Sequence, residues 1–210
     1  MILLQPTYLA PIIQYATIAN TSNFIFEVED NYQKQTYRNR CYIFGPNGKQ
    51  LLNIPTKHQS KTGKIKTKDI LIDNESSNWQ QTHIRSFQAA YSSSPFYEYY
   101  EDDLCAIYSK KHHYLLDLNL ELHQFVMEAL QESSQYEVTT SFEKKTQYTD
   151  FRSLSNAKKN IALDFPEYQQ MFSQKYGFLP NLSILDLLVM EGPASYSILK
   201  KTQNTVLNSL

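Results

Sequence analysis

The chain has 210 residues, 41 % of them hydrophobic, a length and composition that bury a core without disulfide or metal staples. A net charge of −1 excludes a globally basic nucleic-acid binder, so no stable DNA complex is expected. The only two cysteines, Cys41 and Cys105, lie far apart without CxxC or metal-type spacing and read as reduced packing residues.

In chain order, Ile2 to Gln5 reads as a short buried strand stopped by Pro6. Pro11 opens a helix in its first turn, where a missing N–H costs nothing, and Ile12, Ile13, Tyr15, Ala16 and Ala19 give that helix an apolar face. Residues 1–19 lack a basic leader and are interrupted by Gln5, Pro6 and Pro11, so they read as structure rather than a signal peptide. The expected location is therefore cytoplasmic. No apolar run approaches the roughly 18 residues of a membrane helix, and no transmembrane segment is expected. Asn20 to Asn23 is a turn, and Phe24 to Glu29 alternates as a strand does. A crossover helix between two strands predicts that they are parallel.

Arg40 to Phe44 and Gln50 to Pro55 are β-type runs around Asn47-Gly48, a hairpin signal because both residues tolerate positive φ. Lys57 to Lys64 reads as a basic loop containing Gly63, and Ile65 to Ile72 as one more strand. After Asn78 the apolar period becomes helical. Trp79, Ile84, Phe87 and Tyr91 form one face; Tyr97, Tyr100, Leu104, Ile107 and Tyr108 a second; Leu115, Leu118, Leu122, Phe125, Val126 and Ala129 a third. Tyr136 to Phe142 is a possible short strand in a polar stretch. Ser183-x-x-Asp186 has the pattern of a capping box ahead of a helix that Gly192 closes and Pro193 cannot continue, and a short helix follows from Ala194. The expected fold class is α/β: a mixed β-sheet core in the N-terminal part, with a strand–helix–strand start and a β-hairpin, and helices packed on it from the C-terminal part. It reads as one domain over 1–210, β-rich over 1–75 and mainly helical over 76–210.

Sixteen tyrosines stand beside 11 Phe and one Trp. A buried tyrosine hydroxyl needs a partner, so many are expected at core edges or along a cleft. Charge is unevenly placed. Residues 31–68 contain no Asp or Glu but nine bases: Lys34, Arg38, Arg40, Lys49, Lys57, Lys61, Lys64, Lys66 and Lys68. Such a run either meets an anionic partner or forms a solvated hairpin paired with Glu98, Glu101, Asp102 and Asp103. No Walker loop, Gly-x-Ser-x-Gly elbow or Gly-x-Gly-x-x-Gly occurs, so neither P-loop nor covalent serine chemistry is indicated, and no cofactor is expected.

The order of motifs resembles the WbqC-like protein family. The residues that carry it are Gln5-Pro6-Thr7-Tyr8-Leu9-Ala10-Pro11, Lys34-Gln35-Thr36-Tyr37-Arg38-Asn39-Arg40, Asn47-Gly48, and Ile54-Pro55-Thr56-Lys57. Downstream come Trp79-Gln80, His83, Ser86, Ala90 to Phe96, Leu182 to Leu188 and Gly192-Pro193. Leu4 stands where many members carry a histidine, and Thr82 where they tend to carry a charge. The resemblance implies a bacterial protein associated with O-antigen and related polysaccharide genes, with a suggested role as a glycine-type transferase acylating an amino sugar.

Within that pattern, Lys34, Arg38 and Arg40 suit a phosphate or carboxylate, Arg by its planar fork and Lys as a point charge. Gln5 and Tyr8 lie at a strand-to-helix junction, where open α/β sheets place ligands; the competing reading is that Gln5 caps the strand and Tyr8 packs. His83 is the acid–base candidate, since imidazole titrates near neutrality; a lone helical histidine otherwise reads as a satisfied packing residue. His112-His113 reads as a solvated patch, His123 as lying on the polar side of a helix, and Asp186 as a helix cap. Two functions fit: a transferase with catalytic His83 and substrate-binding Gln5, Tyr8, Lys34, Tyr37, Arg38, Asn39, Arg40 and Lys57, its partner an anionic small-molecule or carrier-bound donor, or a non-catalytic binding or scaffold protein of a cell-envelope pathway. Oligomeric state is not legible.

Overall fold

The computed structural model describes residues 1–21, 23–57, 64–133, 135–158 and 165–206. Most of the expected basic loop, including Lys61 and Gly63, lies outside the described residues. Strand β1 (Ile2–Leu4) leads into helix α1 (Ile12–Ala19) and strand β2 (Phe24–Phe26), and β1 and β2 are parallel, with Ile2 opposite Phe24 and Leu4 opposite Phe26. The expected strand–helix–strand unit is thus present. All of β1 and β2 is buried, as strands covered on both faces must be. Every side chain from Ile12 to Ile18 is buried too, including Gln14 and Thr17, so α1 is an interior helix rather than an amphipathic one.

Strands β3 (Arg40–Gly45) and β4 (Gly48–Asn53) form the antiparallel hairpin. Its turn differs from the expected Asn-Gly pair. Gly45 pairs with Gly48, so Pro46 and Asn47 form the tip and only Gly48 takes positive φ, at +98°. Proline's fixed φ suits the first tip position, and Asn47 does not need the left-handed region. The expected strand over Ile65–Ile72 is instead a 3₁₀ turn (Thr67–Asp69) between isolated bridges. Lys66 and Lys68 both reach Glu29, while Thr67 between them turns inward to Asp30. That alternation alone would also suit a strand; the turn is set by backbone bonds three residues apart, the Asp69 N–H donating to the Lys66 carbonyl at 3.0 Å.

Helices α2 (Trp79–Tyr91), α3 (Tyr97–Ser109) and α4 (Leu115–Ala129) follow the expected faces. Strands β5 (Glu137–Val138) and β6 (Thr149–Asp150) then return to the sheet, giving the parallel order β5-β2-β1-β6. A 3₁₀ turn (Arg152–Ser155) and helix α5 (Ser173–Tyr176) lead to α6 (Ile184–Glu191) and α7 (Ser195–Val206). Ser183 caps α6 by accepting the Leu185 N–H. Asp186 is not part of that cap; it is fully buried and accepts hydrogen bonds from Tyr91, Tyr168 and Gln170, with its carboxyl pushed up by burial.

Ile2, Leu4, Phe24 and Phe26 face one apolar cluster together with α1, α4 and α6, whereas Leu3 and Ile25 face the other side of the sheet. Many tyrosines lie deeper than the expected core edge. Tyr8, Tyr15, Tyr91, Tyr97, Tyr108 and Tyr168 are buried. Most find partners inside: Tyr15 with His123, Tyr91 and Tyr168 with Asp186, and Tyr8 with His83 and Tyr108. His123 is likewise inside, against Tyr15, Phe24, Phe26 and Tyr136, because α4 is covered on more than its leucine stripe. Among the described residues no helix is long and apolar enough to cross a membrane.

Candidate functional site

Parallel strands deliver their carboxyl ends to one edge of a sheet, and that edge is the usual ligand side of an open α/β fold. Here the edge carries Gln5 after β1, Glu27 to Asp30 after β2, Thr139 after β5 and Arg152 after β6. The turn from Gln5 to Pro11 is wholly buried, and Leu9 within it is held at φ +37°, a left-handed value that a branched side chain resists.

Asp30 organises this edge. Its Oδ2 accepts from Gln5 Nε2 at 3.0 Å and from Arg38 Nη2 at 2.6 Å, and its Oδ1 accepts from the Thr67 hydroxyl at 2.6 Å. Arg38 and Asp30 are both buried, so breaking the pair strands a charge, at a cost of about 3–5 kcal/mol. Burial draws the Arg38 guanidinium below its ordinary range, against the opposing pull of Asp30. Asn119, from α4, donates to the Arg38 carbonyl at 2.8 Å and points toward the Pro6 carbonyl. Five side-chain atoms of this neighbourhood are buried without a partner among the described residues: Gln5 Oε1, Arg38 Nε, Asn39 Oδ1, Arg40 Nε and Asn119 Oδ1. Buried polar atoms are rarely left unpaired, so several together mark a place built for something more than packing.

The pattern of residues at this edge is that of a known family: its sequence model matches residues 5–159. The chain belongs to the WbqC-like protein family. No curated protein and no solved structure matches it. The matched region of the WbqC-like chain contains every residue of the Asp30 cluster, while α6 and α7, which complete the core, lie beyond it.

The structure brings some of the sequence candidates together. Gln5 and Arg38 gather around Asp30, with Asn119 on the Arg38 carbonyl; Asn39 turns instead to Asn53 and the Ile54 carbonyl, and Arg40 follows on β3. Tyr32 stands close enough to feel both Arg38 and Arg40. Tyr37 is half-buried and packs edge-on to Tyr42. Lys34 is exposed on the preceding turn, and Lys57 is exposed 3.6 Å from Glu75. Tyr8 and His83 form a different cluster. His83 is 3 % exposed, with its Nδ1 2.7 Å from the Tyr8 hydroxyl, which also meets the Tyr108 hydroxyl. Trp79 packs edge-on to the imidazole. Burial pushes His83 down to about 4, although the Asn53 carbonyl favours its charged form, so the ring is neutral at pH 7. Tyr8 touches the strand-end site only through its backbone, its N–H donating to the Tyr37 carbonyl.

Among the described residues the basic segment forms no ion pair with the acids of α3. Arg38 meets Asp30, Lys66 and Lys68 share Glu29 and hold its carboxyl below the usual range, and Lys57 meets Glu75. Lys34, Arg40 and Lys49 have no carboxylate partner among the described residues, and Lys49 instead sits 4.4 Å over the Tyr42 ring. Burial pushes the Cys41 thiol up, so Arg40 beside it does not activate it. Among the described residues no group of acids, histidines and cysteines is arranged to hold a metal ion.

Sequence reasoning did not single out Asp30, Asn119 or Thr67. Asp30 could have been found as an acid just past the second strand of a parallel pair. Asn119 could have been found as the polar residue inside an apolar helical stripe.

Proposed function

We propose that this WbqC-like protein is a cytoplasmic group-transfer enzyme of surface-polysaccharide synthesis, passing an acyl or aminoacyl group from an anionic donor to the amino group of an acceptor such as an amino sugar. The observation that carries this reading is the Asp30–Arg38–Gln5 cluster, with its unpartnered polar atoms, at the carboxyl edge of β1 and β2. Lys34 and Arg40 supply cationic charge not already spent on carboxylates, and Lys57 lies farther along the same basic segment. Gln5 Oε1 and Asn39 Oδ1, buried and without a hydrogen-bond partner among the described residues, are the acceptors this reading assigns to a donor N–H or hydroxyl. The acceptor amine attacks the acyl carbonyl, a C–N bond forms, and the donor's acyl bond breaks with its electron pair leaving on the donor; the amine proton goes with the leaving group or to water. His83 acts as a positioning residue that fixes the Gln5–Pro11 turn through Tyr8.

The test combines thermal shift and transfer assays with activated acyl and aminoacyl donors. A donor at about 100 times its Kd adds roughly 2.7 kcal/mol of stability. Arg40→Ala, on a half-buried residue, is expected to keep the fold while weakening donor binding about tenfold, the loss of one charge-assisted contact. Donor binding unchanged in Arg40→Ala and Lys34→Ala alike rules the reading out. The burial of His83 favours a second reading, in which the same anionic ligand is held without turnover. Ligand stabilisation without product in single-turnover conditions selects it.

A further inference from the structure

The connection from β5 to β6 crosses the face of the sheet opposite α1. Parallel strands normally cover such a face with a helix. Here residues 139–148 cross it as irregular chain, and irregular chain does not fill the groove. A cavity of about 260 Å³ remains between the crossover and the sheet. Its floor is Leu3 and Ile25, the two strand residues that point away from the main core. Its other walls include Thr140, Ser141, Thr146, Gln147 and Tyr148, and the side chains of Thr140, Ser141 and Gln147 are exposed to solvent.

The roof is tied down rather than loose. Arg152 donates to the Glu143 carbonyl at 3.0 Å and to Asp150 at 2.6 Å, and lies over the Phe142 ring. Thr139 donates to Glu27 at 2.8 Å and accepts from the Val28 N–H. Glu27 accepts from Arg152 as well, so the buried carboxylate at the end of the cavity has its charge matched from behind. Glu137 and Glu143 line the cavity as exposed carboxylates, and no lysine or arginine lines it.

We propose that this cavity binds a single sugar ring, uncharged or amine-bearing. Its size lies just under the roughly 300–1,000 Å³ of sites for drug-sized ligands, so it suits one ring rather than a nucleotide diphosphate. Leu3 and Ile25, 2 % and 4 % exposed, leave a narrow apolar strip at the floor on which the C–H edge of a pyranose can rest. The exposed hydroxyls and amide above them match its hydroxyl groups. The carboxylates attract an ammonium and repel phosphate or a uronic acid. As the seat of the acceptor, the cavity rests on the transfer reading; as a sugar site, it stands on its own walls.

Saturation-transfer NMR on the full chain tests it with three probes: the methyl glycoside of glucosamine, methyl glucoside and glucose 6-phosphate. The first two are expected to bind, and the phosphate to give no signal at the same concentration. Gln147→Ala and Thr140→Val, both at exposed positions, are each expected to weaken binding roughly five- to tenfold, the loss of one uncharged hydrogen bond. In the unaltered chain, amide signals of residues 139–148 are expected to shift with added sugar. Equal binding of the phosphate, variants that bind as the parent does, shifts confined to other segments, or silence from all three probes overturns the proposal. The readout needs neither donor nor turnover. A negative result here leaves the donor site at Arg40 standing, and a failed donor assay leaves the sugar result standing.

Discussion

At the residue scale the molecule is governed by how it treats buried polar groups. Asp30 joins a strand end, a basic segment and the 3₁₀ turn by accepting three hydrogen bonds, and Asp186 does the same for α2, α6 and the Tyr168 segment. His83 and His123 are held neutral in aromatic surroundings, each pushed down to about 4 by burial. This has a signed consequence. Between about pH 6.5 and 4 the unfolded chain protonates both imidazoles while the folded chain protonates neither, so the unfolded state binds more protons and stability falls as pH falls. The slope is about 1.4 kcal/mol per pH unit for each histidine. Urea unfolding at pH 7 and pH 5 is expected to show it, and His83→Gln is expected to remove about half of it. An unchanged slope in that variant means the imidazole is not held neutral.

The candidate site was only partly legible for the same reason. Gln5, Arg38 and Asn39 lie in ordered local motifs, which a sequence displays. Asp30 and Asn119 reach the site from 25 and 114 positions beyond Gln5, and their local signals, an acid after a strand and a polar residue in an apolar stripe, do not say which residues they meet. His83 looks free in sequence because its partners Tyr8 and Tyr108 are so far away along the chain.

At the element scale, glycine conformation separates two turns that look alike in sequence. Gly48 has φ +98°, but an added Cβ would meet only the Tyr176 ring, at 3.8 Å, an ordinary contact. Gly48→Ala is therefore expected to cost only the left-handed backbone penalty, roughly 1–2 kcal/mol. Gly192 ends α6 at φ +51°, and its Cβ would lie 2.6 Å from the Phe96 ring. Gly192→Ala adds overpacking of about 1–3 kcal/mol to the backbone penalty. Chemical denaturation of both variants should show Gly192→Ala as clearly the worse; equal losses would mean Phe96 moves aside freely. The hairpin, the α1 crossover and helices α2 to α4 were legible because each has a strong local period or turn signal. Strand β5 falls within the stretch Tyr136 to Phe142 read as a possible short strand, reduced to two residues; β6 was not legible, since it is two residues long and exposed, with no alternation to read. They exist because β1 and β2 offer open edges for pairing.

At the scale of the whole molecule, the question is whether the parallel sheet and the hairpin unfold together. The strands of one do not pair with those of the other. Besides the Asp30–Arg38 pair and the Tyr8–Tyr37 backbone bond, the segment just before α6 joins them. The Ser183 N–H donates to the Tyr42 carbonyl of the hairpin, and its hydroxyl donates to the Leu9 carbonyl of the β1–α1 turn. The Ile184 N–H donates to Ala10, and Ile12 donates back to Leu182. A residue from outside the family-matched region thus holds the turn that carries Gln5 against the hairpin that carries Arg40. Ser183→Ala removes the helix cap and leaves the Leu9 carbonyl without that donor, together about 1–3 kcal/mol. If the two β units form one cooperative structure, hydrogen exchange should speed up by the same factor at Ile25 in the sheet and at Ile43 in the hairpin. Acceleration at one alone would show that they open separately, and the proposed donor site between them would then be assembled by a hinge at Ser183 rather than by a fixed core.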